Sequence, residues 1–114
     1  MRLNADIGNT VGYFGLECAD LSSGTELKNI AYNGTTRLMS YTYGRAYDVE
    51  AYKFYHRINA IAGSSGSPIF KERSMNICGI HSAGIHNPGF DYNIACRVSN
   101  YLVNDWGYYC TLWA

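Results

Sequence analysis

Long apolar runs are missing from this chain. No uninterrupted stretch approaches the roughly 18 residues that a membrane-crossing helix needs, so no helical span is expected. An excess of charge is missing as well: nine Lys and Arg offset nine Asp and Glu. A neutral chain offers no electrostatic case for nucleic acid or an anionic membrane as partner. Met1-Arg2-Leu3-Asn4-Ala5-Asp6 carries an early acid and no apolar core, so no signal peptide is visible. There is no internal repeat, low-complexity tract or internal linker, and 114 residues suit one domain with a modest core. Charged residues are scarce at 16% against 47% hydrophobic, which excludes a disordered chain. None of the cysteines, Cys18, Cys78, Cys96 and Cys110, pairs in a C-x-x-C spacing, so no zinc site is expected. Cys78 and Cys96 flank a turn-rich stretch and are the pair best placed to bridge in an oxidising compartment; buried thiols are the equal alternative.

Strand composition dominates what is present. Segments rich in Tyr, Val, Ile, Thr and Phe alternate with Gly and Asn at short intervals. Strands are predicted near Thr10–Leu16, Leu27–Tyr32, Arg37–Tyr43, Ala51–Ile58, Ser67–Phe70, Asn76–Ser82 and Tyr92–Val98. Ser22-Ser23-Gly24, Asn33-Gly34 and Asn87-Pro88-Gly89 supply turns. Only the tail reads as helix: Ser99 is an N-cap, Leu102, Val103 and Trp106 share a face, and Gly107 stops it. Many short strands with one terminal helix imply an all-β antiparallel barrel or sandwich. The tyrosines read as half-buried strand positions with their hydroxyls at the edge.

One stretch stands out chemically. Gly63-Ser64-Ser65-Gly66-Ser67-Pro68 lies between the apolar runs Ile58 to Ala62 and Ile69-Phe70. Elsewhere such a stretch would be a flexible linker; between core segments it reads as a tight loop whose N–H groups face a small anion-binding concavity. A serine at its centre is a candidate nucleophile, with those amides as oxyanion hole.

Ala62-Gly63-Ser64-Ser65-Gly66-Ser67-Pro68-Ile69-Phe70 resembles the nucleophile loop of the bacterial glutamyl endopeptidases, a group of chymotrypsin-like serine proteases. Cys78-Gly79-Ile80-His81-Ser82-Ala83-Gly84 resembles the following strand, which lines the substrate pocket. Ile7 to Gly15 is similar to the segment entering the second barrel, and Ile94 to Trp106 to the last strand and C-terminal helix. The resemblance implies a six-stranded antiparallel barrel, the second of two, occupying residues 1–114 as a single domain. It implies Ser65 as nucleophile and the amides of Gly63 and Ser65 as oxyanion hole. His81 falls at the base of the primary specificity pocket, where an imidazole can donate to a substrate carboxylate and favour cleavage after Glu. Ser82 falls where many such enzymes support the triad aspartate, and Ser82 to Gly84, with Ala83 between, offers an edge to extended substrate. Ala60 departs from the pattern, standing where staphylococcal-type members carry a carboxylate-binding threonine. Extracellular location and no cofactor are further implications.

A serine needs an adjacent base, and in this family histidine and aspartate precede the serine in chain order. Arg2 to Asn9 resembles the stretch just after the triad aspartate, so both groups are expected from an N-terminal barrel outside this chain, with Met1 either an internal methionine of a longer frame or the start of a truncated product. His56 and His86 are expected as strand or surface histidines, and neither Lys53 nor Lys71 sits in an apolar setting that would make it a base. The expected activity is therefore serine endopeptidase, with polypeptide as substrate and the isolated chain inactive. The alternative is a non-catalytic, protease-like module that binds peptides or pairs with another chain.

Overall fold

In a computed structural model, the structure describes residues 3–16, 21–58, 64–87 and 90–99. They form one helical turn, α1 (Gly8–Val11), and six strands: β1 (Glu26–Tyr32), β2 (Met39–Tyr47), β3 (Lys53–His56), β4 (Pro68–Lys71), β5 (Ile77–Asn87) and β6 (Phe90–Arg97). The strands close into a barrel in the order β1-β2-β3-β6-β5-β4, every pair antiparallel. Closure gives each strand a neighbour on both sides, although the far part of β5 and much of β2 extend beyond one partner.

Side-chain alternation sets the interior. Leu27, Asn29 and Ala31 on β1 point inward, as do Phe54 and His56 on β3, each at the strand period of two. Leu27 and Phe54 join Leu21, Ala46, Ile58, Ile69, Cys78 and Ala95 in the apolar core. Phe54 fits because its neighbour is Gly79: a Cβ there would stand 2.5 Å from the ring. On β4 the alternation breaks. A bulge between Ile69 and Phe70 leaves both side chains buried, and Phe70 packs against Phe14 of the leading segment with ring centroids 4.6 Å apart.

Most predicted strands are present with shifted ends. Arg37–Tyr43 becomes Met39–Tyr47, because Asn33 organises a longer turn. Its side-chain Oδ1 accepts from the amides of Thr35 and Thr36, its carbonyl accepts from Arg37 N–H, and its amide donates to Leu38. Thr10–Leu16 is a correction. Those residues run from α1 into an extended arm whose one ladder contact is a bridge from Leu16 to Ile77, since both flanking positions of the closed sheet are taken. The tyrosines correct a second expectation: among the described residues, Tyr13, Tyr32, Tyr41, Tyr43 and Tyr52 are exposed, and only Tyr47, Tyr55 and Tyr92 are half-buried. The Asn87-Pro88-Gly89 turn, apart from Asn87, and the predicted helix after Ser99 lie outside the described residues.

The bridge between Cys78 and Cys96 is not formed. Ile80 is the cross-strand partner of Cys96, two residues from Cys78. The two cysteines are thus offset diagonally by two residues across the β5–β6 pair, with Cys78 buried and Cys96 exposed.

Candidate active site

The serine-rich stretch folds as a tight turn. Ser67 N–H donates to the Ser64 carbonyl at 3.0 Å, and Gly66 has φ +86. A positive φ at the third position defines a type II turn, a conformation that L side chains resist. Ser65 therefore occupies the projecting corner and is exposed, while Ser64 turns into the protein.

Hydrogen bonds tie this turn, and Pro68 that follows it, to β5 and β1. Gly66 N–H donates to the His81 carbonyl at 2.8 Å, and His81 N–H donates to the Ser67 carbonyl at 2.9 Å. The buried Asn29 amide on β1 donates to Ser67 Oγ at 2.9 Å and to the Pro68 carbonyl at 2.8 Å. The Ser65 hydroxyl itself donates to the Ser82 carbonyl at 3.2 Å. Among the described residues, no histidine or carboxylate bonds that hydroxyl, and no acceptor meets the Ser65 amide. A cavity of about 260 Å³ lined by Asn29, Asn33, Thr42 and Ser64 reaches the turn at Ser64, not at Ser65; it lies behind the turn.

Next to Ser65, β5 changes character. It pairs with β4 only from Ile77 to Ile80, whereas its pairing with β6 continues past a bulge at Ser82 through Ala83 and Gly84. Ser82, Ala83 and Gly84 are exposed. Among the described residues, no strand pairs with the β4-side edge of this segment, so an extended peptide can add there beside the serine.

His81 does not face that edge. It is only 6% exposed, and its Nδ1 lies 3.3 Å from Nε2 of His56, itself 1% exposed. The rings meet edge to face. Burial, reinforced by the neighbouring His81, pushes His56 down to about 4, and burial lowers His81 as well. Both imidazoles are therefore neutral near pH 7. His56 is a strand histidine as expected, on β3, but the surface alternative is corrected: it is buried in the core and bonded to His81. The signal was present in the sequence: Phe54, His56 and Ile58 share one face at period two. Asn29 was likewise missed, because a lone strand asparagine announces no partner.

Gly63 and Ala60 lie outside the described residues, so of the predicted oxyanion donors only Ser65 is described. Lys53 is raised, first by a hydrogen bond to Tyr55, which moves it away from the neutral form a base requires. Among the described residues, no three His, Cys, Asp or Glu side chains converge as metal ligands, and no helix is long and apolar enough to cross a membrane.

Comparison with known proteins gives a consistent picture. No family model matches the chain. It is 32% identical to the glutamyl endopeptidase of Bacillus licheniformis over 109 residues, which is 87% of this chain and 34% of that protein. It is 29% identical to a Bacillus subtilis protein named extracellular metalloprotease, over 96% of this chain and 36% of the relative. A solved Glu endopeptidase superposes with TM-score 0.78 at 27% identity, covering 92% of this chain and 50% of the other. Tobacco etch virus protease shares the fold at TM-score 0.58 and 19% identity, covering 81% of this chain and 40% of the other. The chain thus spans about a third of the curated relatives it matches and half of the solved one.

Proposed function

This chain corresponds to the C-terminal half of a chymotrypsin-like protease of the glutamyl endopeptidase type, and on that premise we propose that it carries the nucleophile of a serine endopeptidase at Ser65. The observation that carries this reading is the Ser65 hydroxyl at the corner of a turn fastened to the barrel wall, beside an unpaired strand edge. Substrate backbone adds along Ser82–Gly84 and presents its scissile carbonyl to Ser65. The hydroxyl attacks the carbonyl carbon, and its proton passes to a histidine base. Negative charge on the carbonyl oxygen meets the amides of Ser65 and Gly63. The tetrahedral adduct collapses to an acyl-enzyme as the amine leaves with the proton; water then attacks the ester and frees the acid.

In this proposal, the base and its orienting aspartate come from an N-terminal barrel. The leading arm suits such a neighbour, since Leu3, Ile7, Val11 and Tyr13 project large apolar side chains into solvent. His81 supplies the preference for Glu, and the protein works outside the cell, as the name of one relative says of that relative. A fluorophosphonate probe tests the assignment. The chain alone should label negligibly, and labelling should rise by orders of magnitude when the first barrel of a glutamyl endopeptidase is supplied and vanish in Ser65→Ala. Strong labelling by the chain alone would refute the external base.

The alternative of a peptide-binding module rests on the same exposed edge and on the absence, among the described residues, of a base bonded to Ser65. Peptide binding that survives Ser65→Ala, with no turnover even after the first barrel is added, would favour it.

A further inference from the structure

The His56–His81 pair lies apart from the acyl-transfer chemistry, yet its hydrogen bonds dictate where each proton sits. Ile58 N–H donates to His56 Nδ1 at 3.2 Å. A backbone amide can only donate, so Nδ1 of His56 holds a lone pair. A neutral imidazole keeps one ring proton, which must then be on Nε2. That nitrogen lies 3.3 Å from His81 Nδ1, and a single proton fits between them. His81 Nδ1 is therefore the acceptor, and the proton of His81 resides on its own Nε2. The donor at the origin of this relay is anchored: Ile58 is fully buried, and Asn93 of β6 donates to its carbonyl at 2.7 Å, fixing the chain just after the donating N–H. Phe54 packs beside the His56 ring at 6.2 Å between centroids, and among the described residues no carboxylate bonds either ring.

We propose that His56 is a positioning residue that locks His81 in the tautomer bearing its proton on Nε2, so that His81 meets an acidic substrate side chain as a hydrogen-bond donor. The proposal rests on the reading of His81 as the substrate-selecting group. Its logic is one of polarity. With the opposite tautomer, Nε2 would turn a lone pair toward a carboxylate, and like polarity would repel it. A neutral donor also explains how a buried histidine can serve an anion without carrying a permanent charge into the core. Selection by a relay of neutral rings would operate at neutral pH, where an isolated histidine divides between tautomers.

The test reads the protons directly. In the ¹⁵N-labelled full chain near pH 7, long-range ¹H–¹⁵N spectra distinguish protonated from bare ring nitrogens. Both His56 and His81 should show a bare Nδ1 and a protonated Nε2. In His56→Leu the two His81 nitrogens should move toward averaged values. In His56→Gln they should return, because the carboxamide can accept from Ile58 N–H and donate to His81. A loss of packing alone would not be mended by Gln. A proton on His81 Nδ1 in the unmodified chain overturns the proposal even where His56→Leu fails to fold, as does an unchanged His81 tautomer in a folded His56→Leu. A separate titration tests the underlying reading. A peptide ending in Glu should shift the His81 Nε2 signal and its Gln counterpart should not; equal responses to both would sink glutamate selection while leaving the tautomer assignment standing.

Discussion

Protonating His56 places a second proton against the Ile58 amide and a charge in the core, so acid should unfold this barrel early. The folded-state value of about 4 lies below the ordinary 6.5, so between those values the unfolded chain binds more protons than the folded one. Stability should accordingly rise with pH across that window and flatten above it. The full shift corresponds to roughly 3 kcal/mol at most. Urea melts from pH 4 to pH 8 measure the slope, and His56→Gln should flatten it. A slope unchanged in that variant would assign the acid sensitivity to other groups. Asn29 makes a second prediction at this scale. Removing its buried amide in Asn29→Ala leaves the Pro68 carbonyl and Ser67 hydroxyl short of a donor, at a cost of about 1–3 kcal/mol. Denaturant titration should show that loss, together with slower labelling of Ser65 in the assembled enzyme.

At the scale of elements, two glycines separate backbone strain from crowding. Gly66 has open space where a Cβ would be but a positive φ, so Gly66→Ala should cost about 1–2 kcal/mol through conformation alone. Gly79 has ordinary φ but meets the Phe54 ring and, at 3.2 Å, the Cys96 carbonyl. Gly79→Ala should cost about 1–3 kcal/mol by overpacking. Phe54→Leu should partly offset Gly79→Ala and leave the cost of Gly66→Ala unchanged, a difference that double-mutant cycles measure. The same contrast explains what was legible beforehand. Turn chemistry at Ser22–Gly24, Asn33-Gly34 and Gly66 is local, so the sequence announced it. The extended arm before β1 was misread as a strand because Val11, Tyr13 and Phe14 have strand composition, and composition cannot tell that the barrel closes without them. Closure is a long-range fact, set where Leu27 to Asn29 meet Ile69 to Lys71.

For the molecule as a whole, the serine motif and the strand after it were readable, whereas the contacts that support them were not. Ser65 with Gly66, and His81, each sit in a short motif of neighbouring letters; Asn29 and His56 reach the site only through pairing across the sheet. The cysteine pairing failed for a related reason: their setting in the sequence does not report the cross-strand register, which puts Cys96 opposite Ile80 rather than Cys78. Native alkylation followed by peptide mapping should label Cys96 readily and Cys78 only after denaturation. Equal labelling of both in the folded chain would contradict the burial of Cys78.

The fastening of the serine turn has a kinetic corollary. Its bonds to β5 and β1 all lie within this one barrel, so under the proposed reading the Ser65 hydroxyl is aimed before any N-terminal barrel arrives. Reconstitution from two separately produced pieces would then be a collision between rigid shapes, with association near 10⁵–10⁷ M⁻¹s⁻¹ and little ordering delay. Such a pair would behave as a split reporter whose signal follows encounter frequency rather than refolding.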